Sequence, residues 1–282
     1  ASKVDADLTD FSVLVDLSDL KPTFWSTVAN GGGDIRVYKS DGTTELAREV
    51  VSCDTTAETG ELWVRYDGTL SSSVDTTIQI HADGTSSDYA VTATYGRNNV
   101  WQDYHYVGHL EADGTDSTGN NTVTNNGSPS DATGQIGKGK SGDSSNCYFI
   151  PATYTPPFTL QAWSTTLGSG SRDNRAVALG DASETGTQLH IGVDNKSGYK
   201  NTFLAEGTAT IKGPAATSGV STFVVGVAAA TDLRELFVDG VSSGTSTATY
   251  SPSGIDRAAI GSSADSTPFS QLHEFDEARI RY

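Results

Sequence analysis

Several stretches of this sequence carry residue types at spacings that chemistry can use. Gly134-Gln-Ile-Gly-Lys-Gly-Lys-Ser141 fits the phosphate-loop expression, and Gly137-Lys-Gly-Lys-Ser-Gly142 fits the dinucleotide one. Both chemistries need a buried strand before the loop and a helix after it, whose first N–H groups hold the phosphates. Here Asp131-Ala-Thr comes before and Gly142-Asp-Ser-Ser-Asn146 follows, leading into a strand, so these glycines are expected to shape a β–β turn. Gly240-Val-Ser-Ser-Gly244 has nucleophile-elbow spacing but overlaps an Asp239-Gly240 hairpin instead of a strand-to-helix turn. In Glu274-Phe-Asp-Glu277, strand alternation puts Glu274 and Asp276 on one face. The loop Glu111–Asn120 is dense in the oxygen ligands that Ca²⁺ takes, Asp113 and Asp116 among them, although it is not an EF-hand loop. The competing role for both is capping their own turns. Two polar loops, with Asp173, Asn174, Asp194 and Asn195, offer hydrogen-bonders for a glycan, and Tyr199 and Tyr250 are candidate stacking partners beside them. For either tyrosine, packing in a core or turn is the competing role.

These groups must be positioned by strands. Phe11-Ser-Val-Leu-Val-Asp-Leu17 alternates, with Phe11, Val13, Val15 and Leu17 on one face, and Ile35–Tyr38, Leu62–Tyr66 and Ile78–Ile80 repeat the two-residue period. Turn residues separate them, as at Asp41-Gly42 and Asp67-Gly68. One helix is predicted within Asp19–Asn30, with Pro22 in its first turn and Asn30-Gly31 as its stop. The polar stretch Tyr95–Trp101 divides this region from a second run of strands, from Val107–Leu110 to Phe275–Ile280. In that run Asp239-Gly240 has the two residues of a type I′ hairpin. The expected fold is all-β: two tandem antiparallel β-sandwiches, residues 1–95 with one short helix and residues 101–282.

Composition narrows the function. The 35 acidic and 18 basic side chains give a formal charge of −17 in 282 residues. That excess opposes a nucleic-acid surface, which needs clustered Lys and Arg, and adsorption to anionic lipid. No apolar run approaches the ~20 residues that span a bilayer, so no membrane insertion is expected. Cys53 and Cys147 match no metal-ligand spacing and are expected as buried thiols, with a disulfide left open.

Residues 101–282 resemble a concanavalin A-like jelly roll of the LamG type. The resemblance lies in Val107-Gly-His-Leu-Glu111, Asp116–Asn120, Phe158–Trp163, Leu236-Phe-Val-Asp-Gly-Val241, Ile260-Gly-Ser262 and Phe275–Ile280. The first part resembles an uncharacterised β domain fused in front of such modules, through Gly33–Val37, Asp41–Leu46, Glu61–Val64 and Thr76–Ile78. The resemblance implies a non-catalytic, surface-displayed binding or structural protein: a phage virion component (fibre, spike or decoration protein) or a bacterial adhesin. It thus implies a virion, extracellular or cell-surface location. Its implied partners are subunits of such an assembly or a surface glycan; because both chain ends lie close to the terminal strands, either the chain is a processed portion of a longer one or a neighbouring subunit, a second copy of the chain among the candidates, supplies the missing edge pairing. It also implies a structural Ca²⁺ joining Asp276 of the closing strand to the early loop of Asp113 and Asp116. The alternative is a carbohydrate-active enzyme or its accessory glycan-binding module. Jelly-roll glycosidases place two Glu and one Asp along one strand, but here Ala278 and Arg279 stand where the second Glu belongs. The carboxyl pair that hydrolysis requires is therefore incomplete on that strand.

Overall fold

The computed structural model describes residues 5–167, 173–184, 188–194, 198–208, 210–266, 268, 270 and 272–282. The chain is all-β and divides into two compact units, Ala1–Gln102 and Asp103–Tyr282.

In the first unit, β1 (Leu8–Asp16), β2 (Arg36–Lys39), β3 (Arg48–Asp54), β4 (Thr59–Leu70) and β5 (Ile78–His81) form two sheets, β1-β4-β3 and β2-β5. Leu17, Trp25, Ile35, Val37, Leu62 and Val64 pack between them. A bulge near Asp10 shifts the register of β1, so Phe11 stands 39% exposed while Ser12 turns inward and donates to Val100 O. The predicted helix shrinks to a 3-10 turn at Leu17–Asp19 and one α-turn, α1 (Pro22–Trp25). Ser26 and Thr27 donate back to Thr23 O, and Asp34 Oδ1 captures the N–H of Ala29, so side chains compete for the bonds that would extend it. A second turn, α2 (Arg97–Val100), leads into Trp101, which is fully buried with its ring 5.2 Å from that of Trp63.

The second unit begins with β6 (Tyr106–Gly108), β7 (Thr124–Asn126), β8 (Ser130–Thr133), β9 (Lys138–Gly142), β10 (Cys147–Pro151), β11 (Phe158–Thr166) and β12 (Asn174–Gly180). It continues through β13 (Gln188–Asp194), β14 (Lys200–Ala205), β15 (Ile211–Ala215), β16 (Ser221–Ala230), β17 (Leu233–Val238), β18 (Val241–Ser246), β19 (Arg257–Ile260) and β20 (His273–Arg281). Two antiparallel sheets result, ordered β15-β14-β13-β12-β19-β10-β7 and β18-β17-β16-β11-β20-β9-β8, with β6 also against β20. Leu160, Ala162, Leu179, Ile191, Phe203, Val224, Leu236 and Phe275 fill the space between them. Asp239 and Gly240, at φ 51° and 80°, turn β17 into β18, which places the Gly240–Gly244 motif in a hairpin strand. The phosphate-loop stretch is the turn and second strand of the β8–β9 hairpin. Cys53 and Cys147 are buried, unpaired thiols.

Candidate functional site

Strand β20 organises the candidate site. One of its edges pairs with β11 throughout. Its other edge pairs with β9 at His273–Phe275 and with β6 at Ala278–Ile280. At the change of partner, β20 carries one extra residue: Gln161 faces Arg279 and Trp163 faces Asp276, and Glu277 sits at φ 49°. Such a bulge re-aims side chains. Glu277 is thereby buried, paired with His109 Nδ1 at 2.7 Å and Arg279 Nη2 at 2.5 Å. Burial alone would raise its carboxyl, but His109 and Arg279 outweigh that and hold it down at about 2.

Asp276 meets the turn that fills the gap between β9 and β6. Its Oδ2 accepts from the N–H groups of Gln135 and Ile136, each at 2.9 Å. Gly134 permits this approach, because a Cβ there would lie 2.7 Å from the same Oδ2 and from Lys138 O. The other oxygen, Oδ1, is buried without a partner. Burial pushes the Asp276 carboxyl up to about 7; the Ile136 and Gln135 N–H groups oppose the rise and nearby Glu277 adds to it.

Across β20, β11 and β16 the outer residues line up in two rows, Asp276–Trp163–Phe223 and Glu274–Thr165–Ser221. Trp163 is half-buried and lies 5.2 Å from the Phe223 ring. Thr165 and Ser221 share a 2.6 Å hydroxyl contact. Trp163, Thr165, Ser221, Gln135, Glu274 and Asp276 line a small, partly open cleft. Among the described residues no Lys, Arg or His lines it. An aromatic face, hydroxyls, an amide and two carboxyls can stack and hydrogen-bond a small polar molecule.

The residues grouped as Ca²⁺ ligands are not brought together: Asp113, Asp116 and Asp276 form no set with oxygens within 4.8 Å of one another. Asp116 instead ties its own loop. Its Oδ1 accepts from Val107 N and Thr118 N, and its Oδ2 from Thr118 Oγ1, Asn121 N and Asn121 Nδ2. Asp113 caps Thr115 through its N–H and hydroxyl.

The expected glycan residues also lie outside the cleft. Asp173 and Asn174 are buried, and Asn174 donates to Thr166 Oγ1 at 2.9 Å. Asp194 pairs with Lys212 Nζ at 3.1 Å. Asn195 lies outside the described residues, and Tyr199 is half-buried at φ 56°. Tyr250 is a core residue whose hydroxyl donates to Gln188 O at 2.8 Å. Sequence reasoning missed Trp163, Thr165, Ser221 and Gln135 as site residues. The available signal was alternation: if Phe158, Leu160 and Ala162 face the core, Trp163 must face out.

No protein-family model and no curated protein matches this sequence. Solved structures do share its fold. Domain 4 of the extracellular GH43 arabinanase AbnA from Geobacillus stearothermophilus, in complex with arabinotriose, is 17% identical at a TM-score of 0.51. The match covers 64% of this chain, the share that the second unit occupies, and 92% of that domain. A Trypanosoma rangeli sialidase is 13% identical at 0.50, covering 64% of this chain and 31% of the sialidase. The ligand-binding domain of botulinum neurotoxin serotype D, in complex with N-acetylneuraminic acid, is 9% identical at 0.47, covering 64% and 47%. This chain thus spans less than half the length of the sialidase and toxin chains. The likenesses to the arabinanase domain and the sialidase agree with the two facing antiparallel sheets in showing a β-sandwich of the jelly-roll kind.

Proposed function

We propose that this protein is a non-catalytic, surface-displayed β protein whose second unit binds a glycan in the Trp163 cleft. The observation that carries the reading is the outward Trp163 set among Glu274, Asp276, Gln135, Thr165 and Ser221. A sugar ring presents an apolar face to an aromatic and hydroxyls to polar neighbours, and this cleft is lined by both kinds of group. The arabinanase domain, whose matched share of this chain is that of the second unit, was solved with a bound trisaccharide, which supports the reading. The setting is a virion fibre, spike or decoration protein, or a bacterial adhesin, where a net charge of −17 keeps crowded copies apart. The test is binding of the whole chain to a glycan array, with Trp163→Ala as control. Retention of specific glycans by the parent and not by the variant is expected; equal retention by both sinks the reading. Proteomics of purified particles and intact cells locates the protein.

A second reading, a carbohydrate-active enzyme, rests on Glu274 and Asp276 sharing a face while the Asp276 carboxyl titrates near 7, where a general acid works. Against it stands Glu277, which the bulge turns away to His109 and Arg279. Reducing-sugar release from polysaccharides by the parent, lost in Asp276→Asn, would establish this second reading.

A further inference from the structure

We infer that the cleft takes an uncharged sugar residue, and that Asp276 enforces this preference by accepting a sugar hydroxyl at Oδ1. The inference rests on the glycan-binding reading and adds the chemical class of the ligand and the residue that selects it.

Three observations carry it. Asp276 is only 3% exposed, yet half of its carboxylate has no donor. An unsatisfied buried acceptor is costly to the fold, so a hydroxyl delivered there recovers free energy that no protein group supplies. The N–H groups of Gln135 and Ile136 fix Oδ2, so the carboxylate stays oriented with the second oxygen in reserve.

The second observation is charge. Both ionisable groups lining the cleft, Glu274 and Asp276, are acids, and no cation among the described residues faces them. Carboxylate, sulfate and phosphate groups are held by Arg or Lys forks, so a sialic acid, a uronic acid or a sulfated sugar brings repulsion here without a compensating partner. The cation nearest in sequence to these acids, Arg279, is engaged with buried Glu277. A neutral ring brings only hydroxyls, which donate to the carboxylates and exchange hydrogen bonds with Thr165, Ser221 and Gln135.

The third is the outward aromatic. Trp163, steadied by Phe223, supplies the stacking face for the sugar ring.

The experiment, run at pH 8.5 so that Asp276 is ionised, titrates the full chain with neutral hexo- and pento-oligosaccharides and with sialylated, uronic and sulfated probes of similar length. Parent, Trp163→Ala, Asp276→Asn and Glu274→Gln proteins are compared, with thermal melts confirming that each is folded. Neutral probes are expected to bind the parent, to be lost with Trp163→Ala, and to bind Asp276→Asn roughly ten- to a hundredfold more weakly, as removal of a charge-assisted hydrogen bond requires. Glu274→Gln is expected to ease discrimination against the anionic probes. Trp163-dependent capture of an anionic probe by the parent overturns the inference while leaving glycan binding intact. Undiminished neutral binding by folded Asp276→Asn also overturns it. Absence of binding to every probe overturns the glycan reading itself, and the inference with it.

Discussion

The four tryptophans divide by unit. In the first unit Trp25, Trp63 and Trp101 are all at most 6% exposed. The indole N–H groups of Trp63 and Trp101 donate to Glu61 and Glu49 at 2.5 Å, and their rings lie 5.2 Å apart. In the second unit the single tryptophan, Trp163, stands on the outer face of a sheet whose inner face is already filled by Leu160, Ala162, Val224 and Leu236. A large buried ring with its polar handle satisfied is there to hold the fold. The same ring left half-open beside an unpartnered carboxylate oxygen contributes little to the core and is free for a ligand. The same residue type is structural in one unit and available for recognition in the other.

Truncation gives the largest effect and the plainest way to break this contrast. Trp101→Ala removes a fully buried indole, so it is expected to cost about 3–5 kcal/mol and to lower the melting temperature of the first unit. Glycan retention at temperatures where the protein stays folded should be unchanged. Trp163→Ala, removing a half-buried ring, is expected to cost roughly 1 kcal/mol while abolishing retention. Calorimetry and array binding on both variants read the two axes together. If Trp163→Ala unfolds the protein as Trp101→Ala does, Trp163 belongs with the structural tryptophans.

The scaffold was legible wherever a strand is half-buried, because alternation then appears in the residues themselves. β11 and β16 show it, and Asp239-Gly240 marked its hairpin. Strands β7, β8 and β15 were not legible: Thr124–Asn126, Ser130–Thr133 and Ile211–Ala215 are mostly polar or lack a clear apolar period, and pairing with a neighbour defines them. Glu274 and Asp276 were found on one face by the same alternation. The bulge that separates Asp276 from Glu277 was not, since the extra residue appears only in the register of β20 against β11. Asp113 and Asp116 looked like metal ligands because an Asx-capped loop and a Ca²⁺ loop share a composition. Only the direction of the N–H groups tells them apart.

A second, smaller effect follows from titration at the bulge. The Asp276 carboxyl is raised to about 7 by burial, so the folded state holds this proton more tightly than the unfolded chain does. Its contribution to stability is fully present below about pH 4 and is lost as pH climbs through 7, a change of at most about 4 kcal/mol. Glu277 has the opposite sign: held at about 2, it stabilises above pH 4 to 5 and loses that contribution as pH falls through 2. Between pH 4.5 and 7.5 the melting temperature of the second unit is therefore expected to fall, and Asp276→Asn should flatten the fall. A parent protein equally stable at both values, with all other titrations matched by the variant, would place Asp276 in a more hydrated setting and weaken the case for a reserved acceptor.

The smallest expected effect concerns metal, and it carries the same contrast from tryptophans to aspartates. Asp116 is as deeply buried as Asp276, but five N–H and O–H donors from Val107, Thr118 and Asn121 converge on its two oxygens. A cation at Asp116 would have to displace those donors, each of which would then be left buried and unpaired. Asp276 has one vacant oxygen, but Asp113 and Asp116 are not gathered beside it to complete the several-oxygen shell that Ca²⁺ takes. Chelation of the purified protein is therefore expected to leave both melting temperatures and glycan retention where they were, and added Ca²⁺ to change neither. A chelator-induced drop in the melting temperature of the second unit, reversed by Ca²⁺ and absent in Asp276→Asn, would show that the vacant oxygen serves a cation. Loss of glycan retention on chelation would go further and make that cation the bridge to the sugar.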